Sequence, residues 1–204
     1  MRTLFLLAAY ATATLCFSCN QAGSAGEPDA RKTTTTDSAA MVTRGEYLVT
    51  IAGCNDCHSP KKMGPNGPEP VPETLLSGYP SSRPVTSFDS ALAQRGIAQF
   101  NEDMTAAAGP WGISFASNLT SDDSGAGSWP LENFKNALRH GKFKGMDAAR
   151  PLLPPMPWFN LAKLTDEDIA AIHAYLKTTR PVKNVAPAPM QFKDMAKQQV
   201  EHRK

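Results

Sequence analysis

Two thiols and an imidazole lie within five residues of one another in Cys54-Asn55-Asp56-Cys57-His58. Thiols a helical turn apart can each add across one vinyl group of a haem, and the adjacent imidazole is then placed to bind the iron from the proximal side. With four Cys and four His in 204 residues, chance would supply a Cys-x-x-Cys-His roughly 0.0015 times per chain, so coincidence explains it poorly. Cys16 and Cys19 fall near the N-terminus, which leaves Cys54 and Cys57 as the one pair in the body of the chain. A structural zinc site needs further ligands, normally a second pair of Cys, and none follows. A thioredoxin-like dithiol wants a strand before it, whereas Tyr47, Leu48 and Ile51 are spaced as on a helix.

Iron in an electron carrier usually takes a sixth ligand, Met or His. Each remaining histidine has a duller role. His140 stands before Gly141 at the end of the helix-like run Leu131 to Arg139, where a cation suits the dipole and Gly the terminal turn. His173 falls mid-helix and His202 in a polar tail. Of Met63, Met104, Met146 and Met156, the last sits in Pro151-Leu152-Leu153-Pro154-Pro155-Met156-Pro157-Trp158, where prolines oppose helix and make a stiff loop suited to hold a thioether. Met146, in Gly145-Met146-Asp147, has no such constraint and ranks second.

Helices must position these groups. The first is expected from about Thr43 to Cys54, with Gly45 permitting close approach of another backbone. The last begins at Leu164-Thr165-Asp166-Glu167-Asp168, a Thr cap with an acidic first turn that compensates the dipole, and shows Ile169, Ile172, Tyr175 and Leu176 on one face. Seven prolines with Gly64, Gly67 and Gly78 between Pro60 and Pro84 read as a loop wrapping the haem, and one of its carbonyls is a candidate acceptor for the His58 Nδ1 proton. Trp129, Trp158 and Phe159 are most simply core residues, with Trp129 or Arg150 as candidate propionate contacts.

Met1-Arg2-Thr3 followed by the apolar stretch Leu4 to Phe17 is too short to span a bilayer and suits a signal peptide. Leu15-Cys16-Phe17-Ser18-Cys19 resembles a lipoprotein box, making Cys19 the candidate lipidation site; cleavage at a nearby small residue is the plainer alternative. Polar residues 20–41 lack periodicity and read as a disordered tether, with a span of roughly 25 Å. A formal charge of +2 is too small to imply nucleic acid.

The chain resembles class I-type cytochrome c domains of the kind found in cytochrome subunits of bacterial membrane-bound dehydrogenases. The likeness rests on Cys54 to His58, on Ser117-Asn118-Leu119-Thr120-Ser121-Asp122 with Gly125-Ala126-Gly127-Ser128-Trp129, and on Pro154-Pro155-Met156-Pro157-Trp158 with the helix after it. It implies an all-α cytochrome c fold around one covalent haem c, terminal helices crossing at right angles, and Met156 as distal ligand. It also suggests that Asn118-Leu119-Thr120, formally a glycosylation sequon, packs near the haem. Many members of that family carry two or three haem motifs, whereas this sequence holds one. The separation of His58 from Met156 exceeds that of the smallest members, and the extra length is expected as loops.

The expected organisation is a signal peptide of lipoprotein type over 1–19, the tether over 20–41, the cytochrome c domain over 42–182 and a basic tail over 183–204, as surface strap or loose end. The function expected is electron transfer outside the cytoplasm, in the periplasm or on a lipid anchor, with no substrate chemistry. Partners would be a redox donor and acceptor: a dehydrogenase, an oxidase or another cytochrome. Two alternatives stay open: a peroxidase-like haem enzyme or gas sensor with an open distal site, and a non-haem module with a Cys54–Cys57 disulfide.

Overall fold

The computed structural model describes residues 30–195. The expected signal peptide with Cys16 and Cys19, most of the tether, and His202 lie outside them. Helix α1 spans Ala30–Ile51, so residues 30–41, expected as disordered tether, extend it toward the N-terminus. Lengthening an existing helix avoids the cost of nucleation, and Ala39, Ala40 and Met41 are good helix formers. Its apolar residues divide between two faces. Gly45, Leu48 and Val49 are buried, whereas Tyr47 and Ile51 are 54% and 60% exposed.

Gly53, in the left-handed region at φ 68°, turns the chain into the short helix α2, Cys54–His58. The Pro60 to Pro84 segment is not all loop. Strands β1, Lys61–Gly64, and β2, Gly67–Pro70, form an antiparallel hairpin. Pro68 and Pro70 are tolerated because this two-stranded ribbon is largely exposed, so their missing N–H donors leave few bonds broken. Helix α3, Ser90–Gln94, is capped by Asp89, whose carboxylate accepts from the Ala91 N–H at 2.7 Å.

The extra length between the candidate ligands folds partly into a second sheet. Strands β3 (Gln99–Phe100), β4 (Ala106–Gly109) and β5 (Gly112–Phe115) pair antiparallel in that order. They enclose a small core with Tyr79, Phe88 and Ile113, so the expectation of an all-α chain is corrected to helices plus two small sheets.

Helix α4, Leu131–His140, ends at Gly141 (φ 61°), as the sequence indicates. After α5, Trp158–Leu161, helix α6 runs Asp166–Leu176, and the Thr165 side chain accepts from the Asp168 N–H at 3.1 Å. Ile169, Ile172 and Leu176 pack with Leu48, Val49, Phe134 and Leu138 into the main core. The acidic first turn of α6 does more than compensate a dipole: Asp166 pairs with Arg139 at 2.7 Å and Asp168 with Arg44 at 3.0 Å, joining α6 to α4 and to α1. Trp158 is partly exposed and Phe159 is 59% exposed, so the expected core role fails for Phe159.

The tail is a strap as far as residue 195. Met190 and Ile113 exchange backbone hydrogen bonds of 2.8 and 3.1 Å, and Phe192 packs on the second core. Among the described residues no helix is long and apolar enough to cross a membrane.

Candidate haem site

The left-handed turn at Gly53 sets α2 at an angle to α1, and its single turn places Cys54 and Cys57 on one side. The two thiols are not joined by a disulfide. Burial is the main cause holding both above the ordinary thiol range, with Cys54 pushed up to about 11. Among the described residues no three His, Cys, Asp or Glu side chains are grouped to hold a metal ion.

His58 is 9% exposed, and its Nδ1 lies 2.7 Å from the Ser117 carbonyl oxygen. A carbonyl can only accept, so Nδ1 carries the proton and Nε2 presents its lone pair. Burial pulls the imidazole below its ordinary pKa, against the opposing Ser117 bond, and so keeps it neutral and able to ligate. The acceptor was expected within Pro60 to Pro84; it comes instead from the chain just past β5. The Pro60 to Pro84 segment supports His58 from its backbone side, through the Gly78 N–H to the His58 carbonyl at 2.7 Å.

One cavity of about 350 Å³ is lined by Cys54, Cys57, His58 and Met156 together. Its walls are largely apolar, with Val49, Leu119, Phe134, Leu138, Ile172 and Leu176 among them. No residue from Pro60 to Pro84 lines it. The expected shield is supplied by residues 104–107, 114–117, 152–153 and 155–157 instead. The Met156 loop is fixed at two points: Ser114 Oγ donates to the Pro154 carbonyl at 2.6 Å, and the Leu152 N–H donates to Gly141 O at 2.6 Å.

The rival methionines separate by position. Met146 is 49% exposed and Met63 76% exposed, both away from the cavity, while Met104 lies at its edge, 41% exposed. His173 is engaged, its Nε2–H donating to Trp129 O at 2.7 Å, and His140 is exposed. Asn118 is buried, its amide donating to Val182 O at 2.7 Å, so the sequon packs inward while Leu119 lines the cavity.

Arg150 stands at the cavity rim with its guanidinium 4.2 Å from the Phe143 ring centroid. Desolvation lowers its pKa, and it forms no ion pair with a carboxylate among the described residues. Trp129 lines the same cavity. A flat apolar ring with carboxylates at one edge fits this combination of apolar walls, paired thiols, a neutral imidazole and a rim cation. Sequence reasoning missed Ser114 and Ser117: a backbone carbonyl leaves no trace in residue type, and a Ser bound to a distant carbonyl looks like any other Ser.

Such a pocket defines a protein that carries a porphyrin tied to its own chain. The chain belongs to the cytochrome c family, whose pattern matches residues 42–180, and its cofactor is covalently bound haem c. It is 30% identical over 156 residues to the gluconate 2-dehydrogenase cytochrome c subunit of Pantoea cypripedii, covering 76% of this chain and 26% of the relative. It is 31% identical over 150 residues to the fructose dehydrogenase cytochrome subunit of Gluconobacter japonicus, covering 72% and 23%. The quinone alcohol dehydrogenase cytochrome c subunit of Gluconobacter oxydans (strain 621H) is 30% identical over 152 residues, covering 72% and 24%. The chain therefore spans about a quarter of the length of these relatives.

Proposed function

We propose that this chain is a one-electron carrier whose haem is attached through Cys54 and Cys57, with His58 and Met156 as axial ligands. The carrying observation is that these four side chains line one apolar cavity, whereas Met146 lies on the surface. The haem supplies a ferric–ferrous couple when bound, and thioether ligation in apolar surroundings favours the ferrous state. The protein's part is to hold Nε2 of His58 toward the iron through the Ser117 bond, to keep Met156 in place through the anchored Pro154, and to exclude water. Arg150, at the rim and without a carboxylate partner among the described residues, is the residue to receive a propionate.

The likeness to dehydrogenase cytochrome subunits supports a redox enzyme as electron donor, another cytochrome or an oxidase as acceptor, and a site of action outside the cytoplasm. An anchor at Cys19 belongs to the same proposal, and a Cys19→Ser chain that still fractionates with membranes would overturn that part of it.

The ligand assignment is tested on holo-protein matured in a host competent for cytochrome c. The near-infrared band of Met-ligated ferric iron should be present in the wild type, absent in Met156→Ala and retained in Met146→Ala. Rapid cyanide or carbon monoxide binding by the wild type would instead establish an open distal site, and absence of haem would end the reading altogether.

A further inference from the structure

Three residues past His58, the Lys61 ammonium is enclosed by backbone carbonyls: Asp56 O at 2.6 Å, Asp103 O at 2.8 Å and Ser59 O at 3.1 Å. Three acceptors match its three N–H donors, so the group is fully satisfied and fixed in one place. Two of those carbonyls belong to the C-terminal end of α2, where helix carbonyls lack partners and a cation is favoured. The third lies on the turn that leads into Met104, a non-glycine residue at φ 63° on the cavity edge.

That turn is itself rigid. Asp103 is 1% exposed, accepts from Thr105 Oγ1 at 2.6 Å and Asn101 Nδ2 at 2.8 Å, and pairs with Arg83 at 2.7 Å. Arg83 thus answers the Asp103 carboxylate, while Lys61, partly buried, makes no ion pair among the described residues. A caged cation paired with no carboxylate among the described residues acts as a fixed positive charge.

We propose that Lys61 is a positioning residue for the redox site: it fastens the C-terminal end of the haem-attachment helix to the Asp103–Met104 turn and biases the iron toward the ferrous state. The charge favours whichever oxidation state carries less positive charge, and that is the ferrous one. The charge sits against the attachment segment itself, since Asp56 and Ser59, whose carbonyls hold it, flank Cys57 and His58 on either side. The Asp56 carboxylate is the nearby opposite charge on the same helix, but it is exposed and more fully screened by water.

The inference rests on the haem reading above, and the test separates the two. Midpoint potentials of wild-type, Lys61→Gln and Lys61→Arg holo-proteins are measured by spectroelectrochemistry at low salt and at about 0.5 M salt. Lys61→Gln should move the ferrous-to-ferric ratio at fixed applied potential about tenfold toward ferric, which is 59 mV for one electron. Lys61→Arg should stay within about twofold of wild type, and most of the Gln shift should survive high salt, because a partly buried pair is screened less than a surface one. An unmoved potential in Lys61→Gln, an equal shift in Lys61→Arg, or loss of the shift in salt would overturn the proposal. A readout free of variants is ¹⁵N NMR of the wild-type lysines: one Nζ protected from solvent exchange is expected, and its absence would also overturn it. Haem failing to attach in the wild type would defeat the underlying reading instead.

Discussion

Gly45 offers a measurement in which the sign alone decides. It lies inside α1, so Gly45→Ala should by helix propensity stabilise the protein by about 1 kcal/mol. The structure demands the reverse. A Cβ added there would overlap the Ala171 carbonyl oxygen and stand 2.6 Å from its carbon and 2.7 Å from Tyr175 Cβ. The obstruction is the backbone of α6 rather than the free end of a side chain, so the helices must part. Overpacking of this kind costs about 1–3 kcal/mol, and a backbone obstacle puts it near about 3. Set against the propensity gain, the net is about 2 kcal/mol of destabilisation, or a fall in Tm of about 4–8 °C for a domain of this size. Circular dichroism melts of ferric holo-protein would read it, with Glu46→Ala as the control on the exposed face of the same helix, expected within about 0.5 kcal/mol of wild type. A Gly45→Ala protein melting at or above the wild-type temperature would refute the close crossing of α1 and α6.

Two further substitutions probe the rest of the frame. Burial alone would raise the Asp103 pKa, but hydrogen bonds from Thr105 and Arg83 outweigh it and leave the carboxyl below its ordinary value. The unfolded chain therefore takes up the proton first as pH falls: the stability Asp103 contributes is full above about pH 4 and is lost as pH drops through the depressed native value. Asp103→Asn should cost about 3 kcal/mol at pH 7, the low end for breaking a buried pair because Arg83 is a quarter exposed. It should also flatten the acid limb of a stability-against-pH curve, and an unchanged limb would count against the ion pair. Asn184 donates to Ser77 O at 2.7 Å and to Tyr79 O at 2.9 Å and accepts from the Ser81 N–H at 2.9 Å. Asn184→Ala strands these groups and should cost about 2–3 kcal/mol in a denaturant melt, whereas a loss under about 0.5 kcal/mol would mean that the strap is not structural.

What could be read beforehand was what is encoded locally. Covalent attachment needs two thiols and an imidazole at fixed spacing, and that spacing is visible in five residues. Helix α6 was legible because Thr165 caps it and its apolar residues recur at the helical period, and α4 because Gly141 closes it. Strand β4 was not legible. Ala106, Ala107 and Ala108 favour helix by propensity, and a strand buried on both faces gives no alternation, so only pairing with β3 and β5 makes it a strand. The helical spacing of Tyr47, Leu48 and Ile51 showed a helix without showing which side of α1 is covered, and only the position of α6 settles that. The prolines of residues 60–84 suggested a wrapping loop, but not the hairpin and the single 3-10 turn at Pro72–Thr74 that the segment forms, nor that it lies behind His58 instead of over the cavity.

The extra chain between the two proposed ligands is where the site acquires its precision. Ser117 accepts the His58 Nδ1 proton, and Ser114, three residues earlier, fixes Pro154 beside Met156. Both bonds leave the same short stretch, the end of β5 and its continuation, which is pinned in turn by pairing with β4 on one side and by Met190 on the other. The ends of the proposed iron axis are therefore referenced to one strand rather than to each other across a mobile loop. A carrier that must change oxidation state with little rearrangement needs that separation held constant, and a paired strand holds it better than a loop whose ends are set by separate helices. The inserted sheet is thus part of the ligand frame, which accounts for why the chain spends residues on it between His58 and Met156.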